Sequence, residues 1–190
     1  MVLRFPAPAC LLAALLASGC AEPPNTEMDQ AQGAIDAALA AGADAYATTE
    51  YSAATEALEN ANAAVTARDH RLALSYALES REHAQNAARG AADEKARVRV
   101  EADHASTEIS ALLAEGFARL AAAERAGAPR SSIEQATANL TAATTHLQEA
   151  GEAVASGDYL GASAVLAGLG ERVEHALASL DEAMSASAPR

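Results

Sequence analysis

Two histidine–glutamate pairs, His104/Glu108 and Glu171/His175, stand four residues apart. In a helix that spacing puts both side chains on one face, where an imidazole and a carboxylate offer two ligands to a divalent ion. Zinc takes three or four ligands, and the sequence places no second pair nearby, so these residues read as solvent-facing polar groups. The remaining histidines, His70, His83 and His146, stand apart from one another. Gly168-Leu169-Gly170 lacks the third glycine and the preceding strand of a dinucleotide loop. Serines and threonines are plentiful, yet none sits in a nucleophile elbow or beside a patterned His/Asp pair. Acidic pairs such as Glu149/Glu152 read as solvated helix charges. Gly157 and Gly161 have GxxxG spacing but flank a turn, which fits close helix approach better than membrane dimerisation. No catalytic, cofactor-binding or metal-binding residue is expected from these patterns, and the chain reads as non-enzymatic. The thiol of Cys20 is the exception in chemistry: it closes an apolar run and directly follows Leu16-Ala17-Ser18-Gly19.

The segment ahead of Cys20 has the parts of an export signal. Arg4 supplies the charged start, and Ala7 to Ala17 form an apolar stretch of secretory-signal length. A spanning helix needs roughly 20 apolar residues, so this stretch is too short for a permanent anchor. Small residues directly before a cysteine resemble the lipobox of bacterial lipoproteins, with Ala17 where leucine is more usual. That resemblance implies a signal over residues 1–19, lipidation at Cys20, a tether over 20–25 containing Pro23-Pro24, and attachment to a membrane by acyl chains such as palmitate. Ala21 after the cysteine, in place of the aspartate that often marks inner-membrane retention, implies the outer membrane, facing the periplasm. Cys10 would leave with the signal, so no disulfide is expected.

Composition bears on the remainder. The chain carries 26 acidic against 13 basic residues, a formal net charge of −13. Such a surface repels nucleic acid and anionic headgroups, and no nucleic-acid partner is expected. Large aliphatic residues are sparse, as in disordered chains, while the dominance of alanine with Glu, Leu and Arg is typical of long helices.

Periodicity decides for helix. Met28, Ala31, Ile35, Ala38, Gly42 and Ala45 recur at 3-4 spacing, after a capping-box-like start at Thr26 and Asp29. Tyr51, Ala54, Leu58, Ala61 and Val65 form a second stripe that stops near Asp69. Ile133, Ala136, Leu140, Ala143, Leu147, Ala150 and Val154 form another, behind a capping box of Ser131 and Glu134. At an offset of 89, Tyr51–Asp69 and Leu140–Asp158 share Thr55/Thr144, Leu58/Leu147, Val65/Val154 and Asp69/Asp158, beside several alanines, which favours duplication. Each aspartate is expected to N-cap the helix that follows it. From Asp69 to Ala126 the chain has no proline, and the spacing predicts one long helix, about 85 Å if unbroken at Gly90 or Gly116. Asp93/Arg97, Arg97/Glu101 and Arg99/Asp103 support its exposed middle. A last helix is predicted from Tyr159 to Met184 on the stripe Tyr159, Ala162, Leu166, Leu169, Val173, Ala176 and Leu180. The expected fold is all-α: tandem antiparallel helical hairpins or bundles, TPR-like or coiled-coil-like, sharing one long central helix. The first helical unit is placed at 26–92, a connecting stretch at 93–125, a second unit at 126–185 and a tail at 186–190.

Residues 31–92 resemble a family of Ala-rich helical bacterial envelope lipoproteins, a domain of unknown function (DUF4398). The carrying residues are Gly42-Ala43, Tyr46-Ala47, Glu50-Tyr51, the Ala53/Leu58/Ala61 ladder and the turn at Arg68-Asp69-His70, with Thr48 where the family often has proline. Residues 126–183, with Gly127-Ala128 and Gly157-Asp158-Tyr159, are similar to a weaker second copy. The resemblance implies a helical lipoprotein of the envelope and supplies no catalytic residue. The expected role is a membrane-anchored scaffold or adaptor for an unidentified envelope protein. The alternative is a pilotin-like or chaperone-like module that grips a secretion or assembly partner. Pairing of the long stripe with a second copy is left open.

Overall fold

The computed structural model describes residues 22–187; the signal and the first two residues of the tether, Cys20 and Ala21, lie outside them. Among the described residues seven helices follow one another: α1 (Asn25–Ala41), α2 (Ala43–Tyr46), α3 (Thr48–Thr66), α4 (His70–Ala126), α5 (Arg130–Ser156), α6 (Tyr159–Leu166) and α7 (Leu169–Ser187). Among the described residues there is no strand, so the fold is the all-α bundle expected. The chain divides between Ala92 and Asp93 into two compact units, and α4 runs unbroken through that point for 57 residues. Neither Gly90 nor Gly116 interrupts it: alanine, glutamate, leucine and arginine dominate the rest of the helix, and the glycines pack against Ala47 and against Leu140 and Leu177.

In the first unit α1, α2 and α3 pack against the N-terminal part of α4. Its buried side chains are alanines apart from Pro24, Ile35 and Ser80: Ala38 and Ala43 pack with Ala87 and Ala91 of α4, Ile35 packs with Ala54 of α3 and Ala84 of α4, and Ala31, Ala57, Ala61, Ala64, Ala73 and Ala77 are buried as well. Methyl groups let the backbones approach closely but remove little apolar area each, about 0.8 kcal/mol per buried carbon. Ser80, fully buried, donates to the carbonyl oxygen of Ala54 at 2.7 Å and ties α4 to α3. His83 Nδ1, 2.7 Å from Glu50 Oε2, joins the same two helices nearer the surface.

The second unit has a different interior. Ile109, Leu113 and Leu120 of α4 pack with Leu140 of α5, Leu166 of α6 and Leu169, Val173, Leu177 and Leu180 of α7. A fully buried leucine contributes about 1.5–3 kcal/mol, so this unit holds more stabilisation per helix turn than the first. The Arg99 guanidinium lies 5.9 Å from the centre of the Tyr159 ring, joining α4 to the start of α6.

The turn after α3 is repeated, 89 residues on, by the turn after α5. Arg68 has φ 61° and Gly157 φ 85°, both left-handed. Asp69 N donates to Ala64 O and Asp158 N to Ala153 O, each at 2.9 Å, closing the same helix-terminating turn. Both aspartates then cap as expected: Asp69 Oδ1 accepts from Leu72 N, and Asp158 Oδ1 from Gly161 N, each at 2.9 Å. Arg68 adopts this conformation against its own Cβ, at about 1–2 kcal/mol, whereas Gly157 does so freely. Asp69→Ala and Asp158→Ala are each expected to lower stability by about 1 kcal/mol in urea denaturation, with Asn at either position retaining most of it. No loss in either variant would show that solvent replaces the carboxylate.

Five expectations are corrected. Helix α1 begins on Pro24, whose carbonyl accepts from Met28 N, so Thr26 lies inside the first turn and makes no cap with Asp29. In the same way α5 begins on Pro129, Ser131 is already helical, and Glu134 accepts from Arg130 Nε at 2.9 Å instead of capping. The first stripe does not continue to Ala45 in one helix, because Gly42 turns left-handed at φ 87° and opens α2. The last helix is two: Ala167 (ψ 121°) and Gly168 (φ 68°) separate α6 from α7. On the exposed middle of α4, Arg97 is held by Glu94 and Glu101, so Glu94 takes the place expected of Asp93. The Arg97 hydrogen bond keeps the Glu94 carboxyl below its usual range and pushes the guanidinium further above its own.

Candidate functional site

The break between α6 and α7 creates the most structured surface of the second unit. Leu166 and Leu169 both remain buried across it, so the core side of the segment continues while its outer side opens. Arg172 N reaches back to Gly168 O at 3.2 Å to start α7, and a groove runs on each side of that first turn.

The groove between α5 and α7 has a volume of about 730 Å³ and is open to solvent. Asn139 and His146 of α5 face Arg172 and His175 of α7 across a floor that includes Ala143 and Leu169. His146 Nδ1 lies 3.0 Å from Glu149 Oε2, which orients its ring. Two imidazoles, a guanidinium, an amide and the carboxylate of Glu171 suit hydrogen bonding to a polar ligand. Among the described residues no three histidine, cysteine, aspartate or glutamate side chains gather as a metal site. The pairs noted by spacing are thus divided. His104 Nδ1 is 3.4 Å from Glu108 Oε2 on exposed α4, whereas Glu171 and His175 both line the groove, together with His146 of α5. Sequence spacing had no means of pairing residues 146 and 175, which meet through the α5–α7 packing.

The second groove, between α4 and α7, has about 610 Å³. Ile109, Leu112 and Leu166 make its floor, and Glu108, Glu115, Glu171 and Glu174 stand around it. Glu115 is taken up by Arg119, which also binds Asp181 Oδ2 at 2.8 Å; the hydrogen bond that Arg119 donates to Glu115 raises the Arg119 pKa further. Glu171 and Glu174 form no ion pair among the described residues. Read along the sequence these carboxylates are ordinary helix charges; only the fold brings two helices' worth of them around one apolar floor.

Cys20 lies outside the described residues, and no helix among those residues is long and apolar enough to cross a membrane. No curated protein and no solved structure matches the chain. A family model matches residues 26–103, from α1 into the part of α4 within the second unit, so both grooves are carried mainly by helices beyond the matched segment. The family whose model matches residues 26–103 is described as Domain of unknown function (DUF4398).

Proposed function

We propose that this chain is a lipid-anchored, non-enzymatic scaffold or adaptor of the bacterial cell envelope, tethered through Cys20 to the periplasmic face of the outer membrane. The observation that carries the reading is the lipobox-like run Leu16-Ala17-Ser18-Gly19-Cys20, set a few residues before a chain that is helical from Asn25 onward. One acyl chain binds a membrane marginally and two or more bind it stably, so acylation at Cys20 makes the tether durable. Helix α4 supplies core residues to both units, a construction that suits presenting surface more than enclosing a substrate. The recurring turn at an offset of 89 supports the further proposal that the second unit is a diverged copy of the first.

Membrane fractionation with labelled palmitate tests the anchor. The wild-type protein is expected in the membrane fraction with label incorporated, and Cys20→Ser in the soluble fraction without it. A Cys20→Ser protein that stays with the membranes would overturn the reading. The two grooves favour a second reading, a pilotin-like or chaperone-like module for one assembly or secretion partner. Pull-down from solubilised envelopes separates them: one stoichiometric partner supports the module, and a set of wall-associated proteins supports the scaffold.

A further inference from the structure

We propose that the groove between α4 and α7 is a docking site for a short cationic, amphipathic segment of a partner protein, with an aliphatic anchor seated on Ile109, Leu112 and Leu166. The inference rests on the adaptor reading and names the chemistry of its partner.

The floor and the rim impose different requirements. An apolar floor in an open groove of about 610 Å³ takes more than one aliphatic side chain. Around it stand four carboxylates, of which only Glu115 is strongly committed, to Arg119. Buried against such a rim, an uncharged segment would desolvate carboxylates without compensation, whereas lysine or arginine flanking the anchor supplies it. The same argument removes two other occupants. A second copy of this chain brings a surface with the same excess of acid, from a total charge of −13, and an anionic lipid surface does likewise.

Gly170 keeps the groove open. A Cβ placed there would lie 3.9 Å from Ile109 Cγ1 and from Leu112 Cδ1, in ordinary contact with the floor. Any longer side chain at 170 would therefore occupy the space the anchor needs without clashing at its base. Gly170 also stands in the first turn of α7 with no left-handed backbone to preserve, so substitution is compatible with the helix.

The test is fluorescence anisotropy with the detergent-solubilised full chain and three labelled helical peptides. The first carries leucines on one face flanked by lysines, the second has the lysines changed to glutamate, and the third has the leucines changed to serine. Binding of the first alone is expected, weakening as salt screens the rim. Glu171→Lys/Glu174→Lys and, separately, Gly170→Leu should each weaken it by about tenfold with unchanged helicity. Glu56→Lys/Glu59→Lys, on exposed positions of α3, should leave it unchanged. The proposal is overturned by failure of the first peptide to bind. Equal binding of the serine peptide overturns it too, since that is surface charge alone, as does indifference to both groove variants. These outcomes are independent of Cys20, so the docking site and the membrane anchor fail or stand separately.

Discussion

Leu140→Ala is expected to destabilise the second unit by about 3–4 kcal/mol, the upper part of the range for leucine truncation in a rigid core. Leu140 is fully buried and is among the largest such side chains in the chain. What faces it matters as much as its size. A Cβ on Gly116 would lie 2.8 Å from Leu140 Cδ2 and 3.3 Å from Leu177 Cδ2, so both leucines press directly on the α4 backbone. Backbone cannot swing in to fill the space that truncation leaves, and the cavity persists. The same geometry predicts a strong coupling. In the Leu140→Ala background Gly116→Ala becomes stabilising, because the new methyl enters vacated space and alanine exceeds glycine in helix propensity by about 1 kcal/mol. Hydrogen exchange resolved by helix is the suitable measurement, since a chain of two compact units need not unfold in a single step. Protection should fall in α5, α6 and α7. A loss below about 1 kcal/mol there would show that the site collapses freely.

The opposite substitution produces the large effect in the first unit. Ala84→Leu is expected to reduce its stability by about 3 kcal/mol, the severe end of overpacking. Ala84 is fully buried against Ala54, itself fully buried, and Ile35. Three added carbons have no rotamer into free volume, so α3 and α4 must separate. Separation also pulls Ser80 Oγ from Ala54 O, at present 2.7 Å apart, and leaves a buried hydroxyl short of its partner. Ala63→Leu, on an exposed position of α3, is the control and should change stability by no more than about 0.5 kcal/mol. Exchange in α1 and α3 would report the difference; equal protection in the two variants would mean that the alanine interior is loosely packed. Together the two substitutions distinguish a unit held by close backbone approach from one held by aliphatic burial.

Much of this architecture was legible because the code for an amphipathic helix is local. The stripes placed Ala31, Ile35, Ala54, Ala61, Leu140, Val173 and Leu180 in cores, and all are buried. The long run without proline gave a continuous α4, and Asp69 and Asp158 marked the turns they cap. The helix starts were misassigned where proline competed with Ser or Thr for the first position. Its fixed φ suits the residue leading into a helix, so the chain turns helical one or two residues before the side-chain cap could act. The break at Ala167–Gly168 escaped notice because it leaves the stripe intact: Leu166 and Leu169 stay three apart and both face the core.

By itself the sequence determined that the chain is a series of alanine-rich helices, where α3, α4 and α5 end, and which face of most of them is apolar. Those properties depend on neighbours within a turn or two. It also carries Cys20 and its preceding residues, on which the proposed anchor rests. Only the tertiary structure decided that the two units have different interiors and that Glu108 and Glu115 stand with Glu171 and Glu174 around one apolar floor. Such groupings join residues some sixty positions apart, and the packing of one helix on another, which no local spacing encodes, sets which side chains meet.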